Sequence, residues 1–275
     1  MAWSLPRLLR RAGASLVHTQ YAVPLRAPCP AVVTIHDLSY EDDALIGRRD
    51  GIVFRRIVPR AARAAARVLT VSERTRQDLV RRYALDPDHV VVTPNGVDPV
   101  FAATADARDD APDGPYVLAV GAIQPRKNQR AALAAAGAAG LDLVLVGPTK
   151  DEAVARELRD GGARLEGYVS DERLAALYRG AACLVQASRH EGFGLPVIEA
   201  MASGTPVVTV PDEALVEVAG DAAIVVPEDE LADGIRRALA DRERLAAAGR
   251  ERARAFSWEA TAEATVRVYV EALGR

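Results

Sequence analysis

Lysine is almost missing from this sequence. Only Lys127 and Lys150 occur among 35 basic residues, and all the rest are arginine. With abundant alanine, this fits a GC-rich coding bias. It also leaves any chemistry that needs a lysine with two candidates. Aromatics make up 5% of the chain, so packing must rely on aliphatic side chains and alanine. Cysteine occurs only at Cys29 and Cys183, far apart, which excludes a disulfide framework and a zinc cluster. A reducing, cytoplasmic setting is therefore the expectation. No apolar run approaches the ~20 residues that a spanning helix needs. The opening segment has no apolar core and holds Pro6, so it does not read as a secretory signal. Nor is there an excess of positive charge. The formal net charge of −3 excludes a globally basic nucleic-acid binder.

What the 275 residues do hold is 49% hydrophobic content, enough for a real core in one large or two small domains. Short β-branched runs stand at Leu16–His18, Ala31–His36, Arg67–Val71, Val90–Thr93, Tyr116–Val120, Leu141–Val146, Ala163–Leu165, Cys183–Gln186, Pro206–Val210 and Ala223–Val226. Most are continuously apolar rather than alternating, as in parallel strands buried on both faces. Helical patterns fall near 49–66, 73–83, 128–139, 151–159, 171–179 and 196–203, and fill most of 229–273. Such alternation predicts an α/β fold with doubly wound parallel sheets. The stretch 104–115 is rich in Asp, Pro and Gly and reads as a linker between a domain at 1–103 and one starting at 116.

Between Arg48 and Arg82 eleven arginines face only Asp50, Glu73 and Asp78. Helical spacing puts Arg56, Arg60, Arg63 and Arg67 on one face and Val53, Ile57, Ala61 and Ala64 opposite. The block reads either as a solvated amphipathic face or as an attraction to an anionic membrane or acceptor. Pro59 should kink this helix.

Two loops invite phosphate and sugar. In the first, a strand ends at Gly121, and Asn128 is placed to cap a helix. Arg126 and Lys127 then lie at a strand's carboxyl end beside a helix N-terminus, where cations and dipole suit a diphosphate. In the second, Ser188-Arg189-His190-Glu191-Gly192-Phe193-Gly194-Leu195-Pro196 leads into a helix that Gly204 ends. Gly192 and Gly194 allow close backbone approach to a ligand. Glu199, eight residues after Glu191, is expected in the helix's first turn, so that one carboxylate holds sugar hydroxyls and the other ribose hydroxyls. Taken singly, each feature also has a plain reading as solvated or capping charge.

Arg-Lys, then Glu-Gly-Phe-Gly-Leu-Pro, then the second Glu, then Gly-Thr-Pro resembles family 4 glycosyltransferases of the GT-B type. The resemblance runs from Val120 through Gly220-Asp221. In the first half it includes Ile35-His36-Asp37, Val71-Ser72-Glu73-Arg74-Thr75 and Pro94-Asn95-Gly96-Val97-Asp98. Phe256-Ser257-Trp258 and the last helix, 256–275, resemble the segment that crosses back to the N-terminal domain, leaving 116–255 as the nucleotide-sugar domain.

The resemblance implies two Rossmann-like domains facing a cleft. It implies retaining, metal-independent transfer of a mannose- or glucose-type hexose from a GDP- or UDP-linked donor, without a cofactor. The acceptor class is a glycan, a lipid-linked sugar or a small molecule. By similarity, Arg126 and Lys127 hold the diphosphate and stabilise the leaving group. Glu191 holds the donor sugar with the amides of Gly192, Phe193 and Gly194, and Gly121 and Leu195 border the donor. Glu199 holds the ribose, and His36 positions the sugar from the acceptor side, although a turn-capping role suits it too. His18, also near a strand end, is a weaker candidate for the cleft. Glu191 as a covalent nucleophile and a front-face route, in which the leaving phosphate deprotonates the acceptor, both remain open.

The family opens with a strand and a glycine-rich loop. Here Met1 enters where the middle of the N-terminal domain should stand, and an incomplete N-terminal domain is expected. That favours a second reading, a catalytically silent GT-B remnant that binds nucleotide sugar or a partner. A pyridoxal-phosphate phosphorylase would need Lys150, which lies in a polar Gly-Pro-Thr-Lys-Asp loop. A dehydrogenase would need a third glycine that Gly192-Phe193-Gly194 lacks.

Overall fold

The computed structural model describes residues 4–42, 48–103 and 114–274, so residues 104–113 of the expected linker lie outside it. The chain divides into two compact units. Met1–Asn95 and Trp258–Arg275 form the first, and Gly96–Ser257 forms the second.

In the first unit, α1 (Ser4–Arg11) leads to β1 (Val17–Gln20) and β2 (Ala31–Thr34). Then follow α2 (Arg48–Ala64), β3 (Arg67–Thr70), α3 (Glu73–Tyr83) and β4 (Val90–Val92). The strands form one parallel sheet in the order β1-β2-β3-β4. Parallel pairing buries both faces, which is why β2 is buried at every residue. Val33, Ile35 and Val68 meet Val58, Ala61, Ala62 and Ala65 on one side. The buried side of α2 is therefore not the Val53, Ile57, Ala61, Ala64 stripe expected. Val53 and Ile57 are exposed, and the helix presents mainly small residues inward, which brings it close to the sheet.

Nor do the arginines form one free face. Arg67 belongs to β3 and pairs with Glu271. Arg55 donates to the Tyr40 carbonyl at 2.7 Å and Arg63 to the Tyr83 carbonyl at 3.1 Å. Arg74 and Arg81 share Asp78, and Arg76 pairs with Glu73. The helix runs on through Pro59 as one element.

The second unit begins with α4 (Pro99–Ala102), β5 (Tyr116–Val120), α5 (Gln129–Ala138), β6 (Asp142–Val146), α6 (Glu152–Asp160) and β7 (Arg164–Gly167). It continues with α7 (Asp171–Gly180), β8 (Cys183–Gln186), α8 (Leu195–Ala202), β9 (Val207–Thr209), α9 (Glu213–Ala219) and β10 (Ile224–Val225). The helices α10 (Leu231–Ala240) and α11 (Arg242–Ala253) complete it. Its parallel strands run β10-β9-β8-β5-β6-β7. From β5 the chain winds outward through β6 and β7, then restarts at β8 on the other side. The order reverses between β5 and β8, and the loops leaving those two strands sit side by side.

The two compact units part between Asn95 and Gly96, ahead of the expected linker at 104–115. The cause is α4, which the sequence pattern missed. Phe101 is buried, with its ring centre 5.8 Å from that of Tyr178 in a T-shaped pair. Its carbonyl accepts from Ser203 Oγ at 3.0 Å. At the other end of the unit, the Val97 amide donates to the Phe256 carbonyl at 3.1 Å.

The last helix, α12 (Trp258–Ala272), belongs to the first unit. Val268 packs on Val32 and Leu69, the sheet face opposite α2. Full burial of such side chains contributes about 1.5–3 kcal/mol each. His18, a weaker sequence candidate for the cleft, instead ties this helix down. Its Nδ1 meets Tyr269 Oη at 2.6 Å and its Nε2 meets Thr34 Oγ1 at 2.7 Å. Among the described residues no helix is long and apolar enough to cross a membrane.

Candidate active site

The strand-order reversal puts two loops together. The first leaves β5 at Gly121, whose φ of 140° lies outside the range favoured by side-chain-bearing residues. Gly147, at the end of β6, presses against it. A Cβ on Gly147 would stand 2.3 Å from the Gly121 carbonyl oxygen. The loop then makes a 3-10 turn at Pro125–Lys127 and enters α5 through Asn128. Asn128 adopts φ 53°, the left-handed region, and makes no side-chain cap bond, contrary to its expected capping role. Asparagine tolerates that conformation better than most residues, and here it turns the chain.

The second loop leaves β8 after Gln186 and enters α8 at Leu195, with Pro196 in the first helical turn. The Arg189 amide donates to the Arg126 carbonyl at 3.0 Å and fastens the two loops. Their side chains converge on Glu191, which is 7% exposed. Lys127 Nζ donates to Oε1 at 2.5 Å, and Arg126 Nη1 reaches Oε2 at 3.4 Å. Gln186 Nε2 donates to Oε1 at 2.7 Å and to Ser188 Oγ at 3.0 Å. The Glu191 amide reaches Asp212 Oδ2 at 3.4 Å. Asp212 also caps α9, accepting from the Ala214 and Leu215 amides.

Burial pushes the Glu191 carboxyl up, but Lys127, Arg126 and the hydrogen bonds from Lys127 and Ser188 outweigh it. The net effect holds it below the usual carboxylate range. A buried carboxylate persists only with such partners. The arrangement is two cations and one carboxylate at the carboxyl end of a parallel sheet. That can offer positive charge to an anion and an oxygen acceptor to a hydroxyl.

Glu199 is placed differently from expectation. It lies in the second turn of α8, not the first, because the helix starts at Leu195. Its Oε2 accepts from Tyr178 Oη at 2.8 Å. Burial raises its carboxyl to about 7, the Tyr178 bond opposes that, and Asp171 adds to it. Tyr178 itself is fully buried.

Around these groups, Gly192 is buried, and Leu195 is exposed at the start of α8. Gly194 has φ 120°, and a Cβ there would stand 2.8 Å from Leu215 Cδ2. Phe193 turns its ring into the unit, 5.7 Å edge-on from Phe256, with the Arg252 guanidinium 5.0 Å from the Phe256 ring centre. Its contribution to a ligand is thus limited to its backbone.

Arg126, Lys127, Glu191 and Glu199 belong to the second unit, and His36 to the first. His36 follows β2, half-buried, with its ring 5.8 Å from Tyr21. Burial lowers its pKa and Asp37 opposes the shift. The turn is capped by Asp37, not His36: Asp37 Oδ1 accepts from the Ser39 amide and hydroxyl.

Sequence reasoning missed Gln186, Asp212 and Tyr178. Gln186 left a signal, as the lone polar residue of a buried apolar strand that must find partners. Asp212 left one too, an Asp-Glu pair ahead of an apolar run. Tyr178 left none, since its partner lies on another helix.

Residues 104–255 match the family of Glycosyl transferases group 1, and residues 1–101 match Glycosyltransferase Family 4. The O-antigen chain mannosyltransferase B of Escherichia coli is 32% identical over 87% of this chain and 70% of its own length. The MMP alpha-(1->4)-mannosyltransferase of Mycolicibacterium hassiacum is 35% identical over 78% of this chain and 56% of its own. The chain therefore spans 56–70% of the length of these two relatives. Among solved structures, sucrose-phosphate synthase from Thermosynechococcus elongatus superposes with a TM-score of 0.81 at 25% identity. That match covers 98% of this chain and 76% of the other. Two parallel α/β units, the paired loops at the strand-order reversal and these matches agree: the chain belongs to the group 1 glycosyltransferases of the GT-B fold.

Proposed function

We propose that this protein transfers a hexosyl group from a nucleoside-diphosphate sugar to a hydroxyl acceptor, with retention at the anomeric carbon. The observation that carries the reading is the Lys127–Glu191–Arg126 cluster at the reversal point of the second sheet. In the reaction the bond from the anomeric carbon to the diphosphate breaks. A bond from the acceptor oxygen forms on the same face, and the acceptor proton passes to the departing phosphate oxygen. Negative charge grows on the diphosphate, where Lys127 and Arg126 meet it in place of a metal. Glu191 accepts hydrogen bonds from the sugar hydroxyls, and the Gly192, Phe193 and Gly194 amides border it. Glu199 accepts from the ribose. His36 acts on the acceptor side.

The two mannosyltransferases named above support mannose as the sugar; the donor in this reading is GDP- or UDP-linked, and the acceptor a glycan or lipid-linked sugar. A peripheral contact with an anionic membrane is part of the reading, because α2 exposes Ile52, Val53, Phe54 and Ile57 beside Arg56 and Arg60. Failure to co-sediment with anionic vesicles at low salt removes that part.

The reading is tested with this 275-residue chain, a panel of UDP-, GDP- and ADP-sugars, and detection of released nucleoside diphosphate. Release that disappears in Glu191→Ala supports it and identifies the donor. No release, with nucleotide binding intact, points to a silent remnant that still holds nucleotide sugar.

A further inference from the structure

Tyr178 is a fully buried phenol whose hydroxyl has, among the described residues, one acceptor, the Glu199 carboxylate to which the reading above gives a role. Three contacts fix it. Its carbonyl accepts from Thr205 Oγ1 at 2.6 Å, its ring receives Phe101 edge-on at 5.8 Å, and its hydroxyl reaches Glu199 Oε2 at 2.8 Å. A phenol has one proton to give, and this one goes to Glu199. The other carboxylate oxygen, Oε1, makes no hydrogen bond among the described residues. The carboxylate is thus held by one oxygen from below and offers the other. An unheld glutamate samples several rotamers, and ordering it on binding costs affinity.

We propose that Tyr178 is the positioning residue for ribose recognition, fixing Glu199 so that its second oxygen meets a ribose hydroxyl of the bound nucleotide. This rests on the reading above that Glu199 holds the ribose. Tyr178 touches no substrate and acts through Glu199 alone. The packing extends to α4, since Phe101 sits against the same ring. The segment that opens the second unit therefore helps set the height of the ribose carboxylate.

The test is calorimetric binding of UDP, GDP and their dideoxyribose analogues to the full chain and to Tyr178→Phe, Glu199→Gln and the double variant. Phenylalanine keeps the ring and its contact with Phe101 and removes only the donor. At a pH of about 8.5, where a carboxyl raised to about 7 is ionised, the wild type is expected to favour the ribose form by about tenfold or more, the scale of one hydrogen bond to a charged group. Tyr178→Phe should lose about fivefold or more on the ribose form and leave the dideoxy form unchanged. The double variant should bind no more weakly than Glu199→Gln, because the two residues act as one unit. Each variant's dideoxy affinity serves as its own standard, so partial unfolding does not imitate the result.

Equal losses on both nucleotide forms, or no loss at all, in Tyr178→Phe overturn the proposal while Glu199→Gln still loses ribose preference. If Glu199→Gln keeps the full preference, the ribose reading of Glu199 fails and the role of Tyr178 falls with it. Absence of any binding by the wild type overturns both.

Discussion

Replacing Lys127 with alanine is expected to lower turnover by about 10²–10³-fold, the usual effect of removing one group aimed at developing negative charge. The same change acts on the resting protein. Lys127 is the closest cation to Glu191, and both side chains are largely shielded from water. Removing one partner of a buried pair strands the other, at a cost of about 3–5 kcal/mol. Burial already pushes the Glu191 carboxyl upward, and without Lys127 less opposes it. Thermal unfolding should therefore fall along with activity, and more steeply at high pH, where the stranded carboxylate must stay charged. The two effects separate in Lys127→Ala/Glu191→Gln. Neutralising the carboxylate restores much of the stability, yet turnover stays low. Turnover of Lys127→Ala within tenfold of wild type removes Lys127 from the diphosphate's site.

Glu191→Gln is expected to have effects of opposite sign on turnover and on product binding. Turnover should fall by about 10²-fold or more, since the sugar loses its charged acceptor. Binding of the bare nucleoside diphosphate should tighten by about tenfold. In the structure the carboxylate engages the two cations that the proposed function gives to the diphosphate: Oε1 on Lys127, Oε2 toward Arg126. An incoming diphosphate must share them, and it also meets a like charge, held ionised because its carboxyl lies below the usual range. Glutamine keeps the shape and can still accept from Lys127 and Gln186, but it releases the charge. Parallel titrations of the product nucleotide and steady-state turnover decide the matter. Weaker nucleotide binding in Glu191→Gln contradicts the competition between carboxylate and diphosphate.

Much of the fold was readable because parallel strands have a blunt signature. Tyr116–Val120 is continuously apolar and Cys183–Gln186 is apolar up to its last residue, and they form β5 and β8 with those bounds. Glycines, prolines and polar clusters between them marked the loops, and the loops carried the candidate groups. The losses have physical causes. The buried side of α2 was misread because hydrophobicity favours Val53 and Ile57, whereas the helix packs on the sheet through Val58, Ala62 and the adjoining Ala65 beside Ala61, the one residue of the expected stripe that is buried. The helix α4 was missed because it is only a few residues long, and its place in the second unit rests on tertiary contacts, the Phe101 ring against Tyr178 and the Ser203 bond to the Phe101 carbonyl. The meeting of Arg126, Lys127 and Glu191 follows from motif order plus the reversal rule for open sheets. The groups that hold the two carboxylates, Gln186 for one and Tyr178 for the other, depend on register and helix rotation that no local pattern specifies.

The division of the chain has a consequence for its synthesis. Domains are generally completed in the order in which they leave the ribosome. Here the first unit begins first and finishes last, because α12 covers Val32 and Leu69 only after the whole of Gly96–Ser257 has been made. At about 5–20 residues per second, that interval is on the order of ten seconds or more. Through it the early sheet lacks the helix that packs on Val32 and Leu69. The later-made unit has all its strands in hand and closes first. Val32 and Leu69 therefore stay without their cover from α12 until that helix has been made.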